Sequence, residues 1–461
     1  MMQRAGHAAL LVLKKCWPQA RYLTVLCGPG NNGGDGYALA YLAHRLGLHV
    51  LIQQVGSTEH LSDAAKAALA FCQKEHVHIE PFEGEVKRAD ILVDALLGIG
   101  LQGIVNPEFT DVITKVNATK LPVLALDIPS GVNADTASYE NIAIRASVTA
   151  TFVGLKPGLL TGVGLAMSGK VYVDTLQLPE EAFQAVQASA KTLSFKTYSS
   201  ILEKRALNAY KHNFGHLLVV GGNLGFDGAV RMAAEAALHV GVGLVSVATH
   251  PYHAASVNCH FPEIMSHPLA KPKQLYALLE KATAVVLGPG LGEDAWGKAL
   301  FKIVMSANKP TLIDADGLNF LVKEKLKIKQ GAWVLTPHSG EAGRLLQCSS
   351  AQVEANRITA VKALHKRYGG VSILKGAGSL LLADDLPLQV LTDGNPGMAS
   401  AGTGDVLSGV IGALLAQGLS LKDASMKGLC LHSHAADIAA EEGEHGLLAT
   451  DILAVLKQLI H

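Results

Sequence analysis

Glycine-rich segments that follow apolar strands carry most of the residues in this chain that could do chemistry. The first segment places Gly28, Gly30 and Gly33 in a G-x-G-x-x-G spacing between a predicted strand and a predicted helix. Such glycines let backbone N–H groups approach a pyrophosphate at a helix N-terminus. An NAD-binding fingerprint also needs an acidic residue about 20 positions further on, where this chain has Gln53 and Gln54. The pattern therefore predicts a phosphate-binding turn and disfavours hydride transfer; a glycine turn without a ligand is the alternative.

Carboxylates end two further strands of the same predicted sheet. Asp94 precedes a second glycine-rich loop, and Asp127 precedes a turn that contains Ser130. Because ligands of α/β proteins bind at the carboxyl ends of the strands, these groups and the first loop predict one shared pocket. Each carboxylate taken alone could be only a helix cap or a turn residue. Lys156 follows the next strand and could bring a cation to the rim of this pocket, or it could lie in solvent.

A second glycine system predicts phosphoryl-transfer chemistry. Gly402, Thr403 and Gly404 precede a helix predicted at Asp405–Leu415, so backbone N–H groups and the helix dipole favour an anion there. Asp405 beside this nest could accept a proton from a hydroxyl group as a phosphoryl group is transferred. The alternative is an acidic residue that only favours the helix dipole. The sequence has no G-x-x-x-x-G-K-[ST] segment, which excludes a Walker-type ATPase.

Two side chains after another strand of the second half could complete such a site. Glu341 is predicted to face magnesium, acting largely through water, because phosphoryl transfer needs a cation to neutralise the oxygens. An exposed glutamate at a helix start is the alternative. His338 could contact the substrate, although a lone histidine at a strand end is more often only hydrogen-bonded.

The elements that must position these residues form two unlike series of alternating strands and helices. The first series follows a helix predicted at the start of the chain. Its predicted strands are Tyr22–Cys27, Val50–Val55, Ile91–Leu96, Val123–Ile128 and Val148–Val153, with helices at Tyr37–Leu46, Ser62–Glu75 and Asp111–Asn117. The strands predicted in the second series are His216–Gly222, Gly243–Thr249, Ala284–Gly288, Thr311–Asp316, Trp333–Thr336 and Val371–Ala383. Apolar strands alternating with helices indicate parallel sheets covered on both faces. We therefore predict an α/β protein of two three-layer αβα domains, at residues 1–178 and 200–461, joined by a linker at 179–199.

Composition excludes several classes of function. The 461 residues include 39 Lys and Arg against 39 Asp and Glu, so no net field favours nucleic acid or an acidic membrane. Uncharged stretches fall short of the roughly 20 apolar residues that a transmembrane helix needs. The six cysteines are scattered, without a C-x-x-C pair, which disfavours a disulfide framework and structural zinc. A reducing, cytoplasmic location is the expectation.

Four motifs of the first series resemble the YjeF N-terminal family. They are N-N-G-G-D-G-Y from Asn31, D-A-L-L-G-I-G from Asp94, D-I-P-S-G-V-N-A-D from Asp127 and L-K-P-G-L-L-T-G from Leu155. This family looks like the NAD(P)H-hydrate epimerases, which interconvert the R and S forms of hydrated NAD(P)H and use a bound potassium ion. The resemblance implies a Rossmann-like fold over roughly residues 1–178. Family members usually carry more residues before the first helix, so the resemblance also predicts that part of the N-terminus is absent here.

The same resemblance implies roles for individual residues. Potassium would be held by Asn32, Asp94 and Ser130, which are all oxygen donors, as a hard cation prefers. Asp127 would act as an acid or base near C6 of the reduced nicotinamide ring. The residues expected to contact the substrate are Asn31, Asn32, Gly33, Gly34, Asp35, Gly98, Ile99, Gly100, Leu101, Gln102, Gly103, Ile104 and Asp127.

The second series resembles the ribokinase-like superfamily through G-T-G-D before an apolar helix. A fuller set of motifs narrows the resemblance to the NAD(P)H-hydrate dehydratase family, over about residues 200–461. These motifs are G-H-L-L-V-V-G-G, L-G-P-G-L-G, D-A-D-G-L-N, L-T-P-H-S-G-E, L-K-G-A-G-S and N-P-G-M-A-S-A-G-T-G-D. The substrate residues that the resemblance implies are Ala229, Gly290, Gly292, His338 and Asp405. The adenine nucleotide would lie against Lys375, Gly376, Ala377, Gly378, Ser379 and Gly404.

The sequence thus predicts a bifunctional enzyme that repairs hydrated NAD(P)H. Its expected partners are NAD(P)H hydrates and an adenine nucleotide, with potassium and magnesium as cofactors and no nucleic acid or membrane. The fusion of the two domains favours ADP over ATP, and we expect a homo-oligomer. One alternative is a small-molecule kinase of vitamin-precursor or sugar type fused to a nucleotide-binding scaffold, which would release a stable phosphorylated product. A binding scaffold without turnover is another.

Overall fold

The computed structural model describes residues 1–59, 61–198, 200–324 and 333–460. The backbone divides into two units, Met1–Gln187 and Ala188–His461, each built around its own sheet. Within the described ranges, none of the helices has the length and apolar character needed to cross a membrane.

Seven parallel strands form the sheet of the first unit. They are β1 Tyr22–Cys27, β2 His49–Gln54, β3 His78–Pro81, β4 Ile91–Ala95, β5 Val123–Leu126, β6 Val148–Phe152 and β7 Lys170–Asp174. Their order across the sheet is β3-β2-β1-β4-β5-β6-β7, and each neighbouring pair is parallel. The chain reverses its direction across the sheet between β1 and β4, which is where a doubly wound fold opens its ligand crevice.

Helices cover both faces of this sheet. They are α1 Met2–Cys16, α2 Asn31–Arg45, α3 Asp63–Lys74, α4 Pro107–Ala118, α5 Gly162–Ser168 and α6 Glu180–Gln184. Local signals set several ends: the Ser62 hydroxyl caps α3 by accepting a hydrogen bond from the Ala65 N–H, and the Asn106 side chain caps α4. Val25 of β1 packs with residues of α1, α2 and α3, whereas the adjacent Leu26 packs with residues of α4. Successive residues of one strand thus pack against the helices on opposite faces of the sheet.

In the part of the second unit that the structure describes, ten strands form one mixed sheet. The strands are β8 Ala190–Leu193, β9 His216–Val220, β10 Leu244–Thr249, β11 Ile264–Pro268, β12 Ala284–Leu287, β13 Thr311–Ile313, β14 Trp333–Leu335, β15 Val371–Leu374, β16 Leu380–Leu382 and β17 Leu388–Leu391. Their order is β11-β10-β9-β12-β13-β14-β15-β16-β17-β8. Among the strands of the described residues, only β16 runs antiparallel to its neighbours, so the carboxyl ends of β13, β14 and β15 lie at one edge.

The helices of the second unit pack on this sheet around one apolar element. They are α7 Asp227–His239, α8 Leu275–Lys281, α9 Ala295–Ser306, α10 Asp316–Glu324, α11 Ser339–Leu346, α12 Ser350–Ala355, α13 Arg357–Tyr368, α14 Thr403–Ala416, α15 Leu421–Ala439 and α16 Ala449–Leu456. Every residue of α14 from Val406 to Ala416 is buried. A Cβ on Gly409 would lie 2.0 Å from the Ala233 carbonyl oxygen, so glycine allows α14 to pack tightly on α7. This packing fixes the start of α14, where the glycine nest was predicted.

The predicted α/β fold class is confirmed, while several element boundaries are wrong. Helix α2 begins at Asn31 rather than near Tyr37, because its glycines are packed instead of forming a free loop: Gly33 packs on the backbone of Gly28, and Gly36 packs on the side chains of β1 and β4. The single strand predicted over Val371–Ala383 is two antiparallel strands, β15 and β16, separated by a turn. The predicted linker 179–199 contains β8, which pairs with β17 at the edge of the second sheet. Its polar, two-sided sequence lacks the apolar pattern by which the central strands were predicted.

Candidate active sites

The carboxylate of Asp94 organises the carboxyl edge of the first sheet. Asp94 lies near the end of β4, fully buried, and accepts hydrogen bonds from the Ser130 hydroxyl at 2.6 Å and the Ser130 N–H at 2.8 Å. The Leu96 N–H is a third donor, at 3.2 Å. Burial outweighs these bonds and raises the pKa of Asp94 to about 6. The turn after β5 is thereby held against the end of β4.

The amide of Asn32 lies in the first turn of α2, beside the same edge. Its Nδ2 donates to the Leu97 carbonyl oxygen at 2.8 Å, and the Leu97 N–H donates to the Ser130 hydroxyl at 2.8 Å. The Asn32 Oδ1 atom is buried and has no hydrogen-bond partner among the described residues. The structure thus brings Asn32, Asp94 and Ser130 together and leaves one buried oxygen as an open acceptor. An oxygen-lined site of this kind suits a hard cation such as potassium.

The glycines of the first loop pack backbone against backbone. A Cβ on Gly33 would lie 1.9 Å from the Gly28 carbonyl oxygen, and a Cβ on Gly28 would lie 1.9 Å from that of Leu96. Gly30 is the N-cap of α2 and offers no side chain to the first N–H groups of the helix. The first N–H groups of α2, where the phosphate-binding turn was predicted, therefore have no side-chain cap.

A pair of carboxylates and one lysine lie beside this helix start. Asp127 follows β5 with φ of +64°, and its Oδ1 accepts hydrogen bonds from the Lys156 ammonium, the Thr151 hydroxyl and the Phe152 N–H. Lys156 also donates to the Thr151 hydroxyl at 2.9 Å and the Phe152 carbonyl at 2.8 Å, so it is a fixed partner rather than a solvated side chain. Burial and the charge of Asp127 raise the pKa of Asp35 to about 7, against the opposing charge of Lys156.

The predicted substrate loop Gly98–Ile104 lies largely on the surface. Ile99 and Ile104 are 60% and 73% exposed, an unusual state for isoleucine. A Cβ on Gly98 would lie 3.3 Å from the Asn32 Cβ, so the loop begins directly beside the Asn32 amide. The loop thus extends the site from its buried polar floor to an exposed apolar rim.

A buried ion pair lies at the carboxyl edge of the second sheet. The Lys375 Nζ, after β15, donates to Asp314 Oδ1 at 2.7 Å, and the Ser408 hydroxyl of α14 donates to Asp314 Oδ2 at 2.8 Å. Burial disfavours the charged lysine, but Asp314, Glu341 and Asp405 together raise the pKa of Lys375 above its usual value. A Cβ on Gly404 would lie 3.2 Å from the Lys375 Nζ, so this cation faces the glycine nest.

Helix α14 begins where the nest was predicted, and its start has no side-chain cap. Gly402 is the N-cap, with φ of +90°, a conformation that favours glycine. The Thr403 hydroxyl donates to the carbonyl oxygens of Met398 and Ser400, at 3.2 and 3.1 Å, and so ties the preceding loop to the helix start. Burial, followed by the charge of Asp314, raises the pKa of Asp405 to about 7. A carboxylate that titrates near neutral pH beside an anion nest is suited to general base catalysis.

The two side chains predicted after β14 are part of a helix cap. The His338 N–H donates to Glu341 Oε2 at 2.9 Å, and the His338 ring accepts a hydrogen bond from the Gly340 N–H. Glu341 is only 6% exposed, so it is not the solvent-exposed glutamate of the alternative interpretation. Burial raises its pKa, with Asp314 adding to the shift and Lys375 opposing it. Glu341 therefore belongs to the same charged group as Asp314 and Lys375.

The loop after β12 closely approaches the loop after β9 and the start of α7. The resemblance implied that Ala229, Gly290 and Gly292, which lie here, contact the substrate. A Cβ on Gly290 would lie 3.4 Å from the Ala229 Cβ and 2.6 Å from the Phe226 carbonyl oxygen. A Cβ on Gly292 would lie 2.4 Å from the Asn223 Nδ2, so both glycines are needed for this approach. Phe226 is 57% exposed beside them.

The turn after β15, where nucleotide contacts were predicted, is anchored by a buried arginine. Arg357 of α13 is 1% exposed and donates to the carbonyl oxygens of Leu374 and Lys375, both at 3.2 Å. Within the turn, the Ser379 hydroxyl donates to the Gly376 carbonyl oxygen at 3.1 Å. Lys375 itself pairs with Asp314 and is held away from the exposed part of this turn.

Sequence reasoning gave no role to Asp314, Ser408 or Arg357. Asp314 ends a buried strand, the same signal that singled out Asp94 and Asp127, and it could have been found in that way. Ser408 is an internal helix position and Arg357 is the first residue of α13, and nothing in their local sequence indicates a polar contact. Among the described residues, no group of three or more His, Cys, Asp or Glu side chains could hold a metal ion.

The fold and the two sites define a class of protein: a Rossmann-like domain joined to a ribokinase-like domain. Two family models match the chain, one described as YjeF-related protein N-terminus over residues 1–158, and one as NAD(P)H-hydrate dehydratase over residues 217–458. The Bacillus subtilis ADP/ATP-dependent NAD(P)H-hydrate dehydratase, co-crystallised with ATP and Mg²⁺, is 25% identical with a TM-score of 0.51. That match covers 56% of this chain and 93% of the B. subtilis chain.

Full-length relatives carry both domains in one chain. The bifunctional NAD(P)H-hydrate repair enzyme Nnr of Coxiella burnetii is 45% identical over all of this chain and 94% of the relative. The protein of the same name from Escherichia coli is 41% identical over all of this chain and 89% of the relative. The chain therefore belongs to the family of bifunctional NAD(P)H-hydrate repair enzymes, which combine an epimerase domain with a dehydratase domain.

Proposed function

We propose that the chain converts both epimers of hydrated NAD(P)H back to NAD(P)H. The damaged substrate carries a hydroxyl group on C6 of the reduced nicotinamide ring, in an R or an S configuration. The first domain interconverts the two forms, and the second domain dehydrates the S form with ADP as co-substrate. Family membership supports the pair of activities, and the Asp405 carboxylate beside the glycine nest is the observation that carries the dehydratase assignment.

The dehydratase site is arranged for transfer of a phosphoryl group to the substrate hydroxyl. Asp405 accepts the hydroxyl proton as the oxygen attacks the terminal phosphorus of ADP; the new O–P bond forms and the bond to AMP breaks, with its electron pair leaving on AMP. The N–H groups at Gly402–Gly404 and the Lys375 ammonium lie where they stabilise the negative charge on the phosphoryl oxygens. The lone pair of the ring nitrogen then expels phosphate from C6. Loss of a proton from C5 restores NAD(P)H.

Glu341 is the residue that we assign to the magnesium side of this site. Its buried carboxylate lies near Lys375 and Asp314, but one of its oxygens already accepts the His338 N–H. Glu341 would therefore hold the ion through water. When bound, magnesium supplies neutralising charge to the phosphoryl oxygens. His338, Ala229, Gly290 and Gly292 would line the substrate, with the nucleotide along the turn from Lys375 to Ser379.

Asp127, Lys156 and Asp35 supply proton-transfer groups to the first domain. Lys156 donates a hydrogen bond to Asp127, whereas burial and the charge of Asp127 raise the pKa of Asp35 to about 7. One base and one acid are thus available side by side, as an exchange of configuration at C6 requires. The start of α2 would hold the substrate phosphates, and residues of the loop Gly98–Ile104 would cover the substrate.

Potassium would be held by Asn32, Asp94 and Ser130. The Oδ1 of Asn32 supports this proposal because it lacks a donor among the described residues. The buried carboxylate of Asp94 supports it because burial disfavours the charged form, as its raised pKa indicates, and a bound cation would offset that charge. A bound potassium ion supplies fixed positive charge beside the substrate phosphates. ADP as the preferred nucleotide, a homo-oligomeric state and a cytoplasmic location belong to the same proposal.

One assay tests the proposed activities together. An R/S mixture of hydrated NADH is incubated with the full chain, MgCl₂, KCl and either ADP or ATP, and the absorbance of the reduced nicotinamide ring is followed. We expect recovery of all the NADH, faster with ADP, together with one inorganic phosphate per NADH. A stable phosphorylated product without recovered NADH would contradict the dehydratase and favour the small-molecule kinase. Recovery that stops when the S form is consumed would contradict the epimerase.

A further inference from the structure

Strand β7 forms one edge of the first sheet and turns a row of backbone groups away from it. The Lys170 N–H donates to the Ser147 carbonyl oxygen at 3.1 Å, and the Asp174 carbonyl oxygen accepts a hydrogen bond from the residue after β6. Because backbone groups alternate between the two sides of a strand, those of Val171 and Val173 point outward. Within the described part of the chain, no strand pairs with this side of β7. Such an edge is a template for another strand.

The opposite edge of the same sheet is less suited to pairing. It is formed by β3, which has four residues and ends at Pro81. Proline has no N–H to donate, and natural sheets use it to block an edge. Strand β7 has five residues and contains no proline. If the first sheet extends across an edge, β7 is therefore the edge that permits it.

The sequence of β7 is complementary to itself. Tyr172 lies at its centre, Val171 and Val173 flank the tyrosine, and the strand begins with Lys170 and ends with Asp174. When two copies pair antiparallel about a two-fold axis at Tyr172, each lysine lies opposite an aspartate of the other copy, a favourable cross-strand pair. This register also matches the outward backbone groups, since Val171 and Val173 of opposite copies exchange their hydrogen bonds. A shift by two residues in either direction loses both charge pairs.

Exposed apolar side chains flank this edge on both faces of the sheet. Tyr172 packs with the core under α1, whereas Val171 packs with the core on the opposite face. Val173, on the same face as Val171, is 45% exposed, and Leu11 of α1 is 54% exposed. A cavity of about 190 Å³ is lined by Leu11, Tyr172 and other residues of α1, β6 and β7. A second copy placed on the edge would cover this apolar surface as well as the backbone groups.

We propose that β7 is an interface between two copies of this chain, paired antiparallel about Tyr172 so that the sheets of the two first units become one continuous sheet. The proposal names an interface of the homo-oligomer proposed above and rests on that oligomeric state. A two-fold interface brings the same patch of both copies together, so it requires a self-complementary surface. Opposite charges at equal distances from the centre of β7 meet this requirement, whereas pairing with a strand of a different protein has no need of them.

A cysteine at the two-fold axis tests the register. The Cα atoms of residues opposed in a non-hydrogen-bonded antiparallel pair are about 4.5 Å apart, within the range that a disulfide bond spans. Tyr172→Cys, in a Cys259→Ser background that removes an exposed thiol, should therefore form a disulfide-linked dimer when treated with diamide. Glu80→Cys on the opposite edge is the matched control and should remain uncrosslinked. A wild-type oligomer whose Tyr172→Cys variant gives no crosslink would overturn this interface alone.

Charge reversal tests the complementarity. Lys170→Asp opposes two pairs of aspartates and Asp174→Lys opposes two pairs of lysines, so each variant alone should associate at least 10-fold more weakly than the wild-type chain. An equimolar mixture of the two variants restores both lysine–aspartate pairs, and association should return. Asp174 also accepts the Leu176 N–H at 2.7 Å within its own chain, a contact that mixing cannot restore. Restoration therefore reports on the interface and not on the fold of either variant.

Light scattering and sedimentation of the full chain give the mass of each sample. Lys66→Asp, on the exposed side of α3, is the control for the change in charge and should keep the wild-type mass. Wild-type association of both single variants, or a mixture that stays dissociated, would overturn the proposal. A monomeric wild-type chain would overturn the interface and the homo-oligomeric state together. Neither result bears on the two repair activities, which the R/S assay measures separately.

Discussion

Lys375 and Asp314 form a buried ion pair, with Nζ and Oδ1 2.7 Å apart, at the edge of the second sheet. The pair joins the turn after β15 to the end of β13, and the Ser408 hydroxyl extends it to α14. Three elements that meet at the proposed phosphoryl site are thus connected through one carboxylate. The arrangement leads to the first prediction.

Asp314→Asn should destabilise the second unit strongly. The substitution leaves the buried Lys375 ammonium without its carboxylate, and breaking a buried pair in this way costs about 3–5 kcal/mol. Calorimetric unfolding of the full chain measures the effect. Asp384→Asn is the control, because that carboxylate is 79% exposed beside His365 and exposed pairs contribute about 0–1 kcal/mol. Equal unfolding temperatures in the two variants would show that the Asp314–Lys375 pair stabilises the fold no more than an exposed pair does.

The dehydratase should lose activity as the pH falls through about 7. Asp405 must be ionised to accept the hydroxyl proton, and its pKa is raised to about 7, so kcat/KM for pure S hydrate should rise with pH across this value. Asp405→Asn should remove this dependence and lower turnover by roughly 10²–10⁴-fold, while MgADP binding is kept. Asp423→Asn, in the first turn of α15, is the control for a helix-start carboxylate. Near-normal turnover of Asp405→Asn would restore the interpretation of Asp405 as a helix-dipole residue only.

Lys156→Met should impair the epimerase and shift its pH profile. Without the ammonium, Asp127 loses its ionic partner, and the pKa of Asp35 should rise further because Lys156 no longer opposes the effects of burial and Asp127. We expect slower conversion of R hydrate and an epimerase pH profile displaced to higher pH. The conversion is measured by coupling to dehydration, with an excess of the Asp94→Ala chain, which is expected to keep the dehydratase activity and to lack the epimerase activity. Lys115→Met is the matched control, since Lys115 pairs with Asp111 on the exposed face of α4. An unshifted profile would remove Lys156 from the mechanism.

Asp94→Ala should abolish conversion of the R hydrate and leave dehydration of pure S hydrate intact. The reason is that Asp94 and the nest lie in different units with separate cores. With an R/S mixture, NADH recovery should stop after the S form is consumed, apart from slow spontaneous epimerisation. Consumption of the whole mixture at the wild-type rate would make the carboxylate structural. Loss of S-hydrate dehydration in this variant would instead contradict the assignment of the two activities to separate domains.

Potassium should stabilise the first unit more strongly above pH 6 than below it. The folded-state pKa of Asp94, about 6, lies above the ordinary value of 3.8, so stability associated with this group is present at low pH and is lost as the pH rises through 6. A bound cation offsets the charge of the ionised carboxylate. Thermal unfolding in KCl and in tetramethylammonium chloride at pH 5 and pH 8 measures the difference. The same shift in the Asp94→Ala variant would show that potassium binds elsewhere.

Local sequence determined the strands and the strand-end residues of both sites. A short apolar run such as β1 or β4 indicates a buried strand, and a polar residue at the end of such a strand lies at the carboxyl edge where ligands bind. For this reason Asp94 and Asp127 could be selected from the sequence, whereas the Gly402–Gly404 nest was selected as glycines that precede an apolar helix. The motif resemblance supplied the family and the chemistry, since two unlike domains carry unusually specific motifs.

Only the tertiary structure decided which of these residues are partners. Lys156 and Asp127 are 29 residues apart and meet because they follow the neighbouring strands β6 and β5. Lys375 and Asp314 are 61 residues apart and meet across β14, because β13, β14 and β15 all end at one edge of the sheet. The pKa values of Asp35, Asp94 and Asp405 likewise depend on burial by distant elements, which no local pattern encodes. The edge strand β8 was missed for the same reason, because its place in the sheet comes from β17 and not from its own polar sequence.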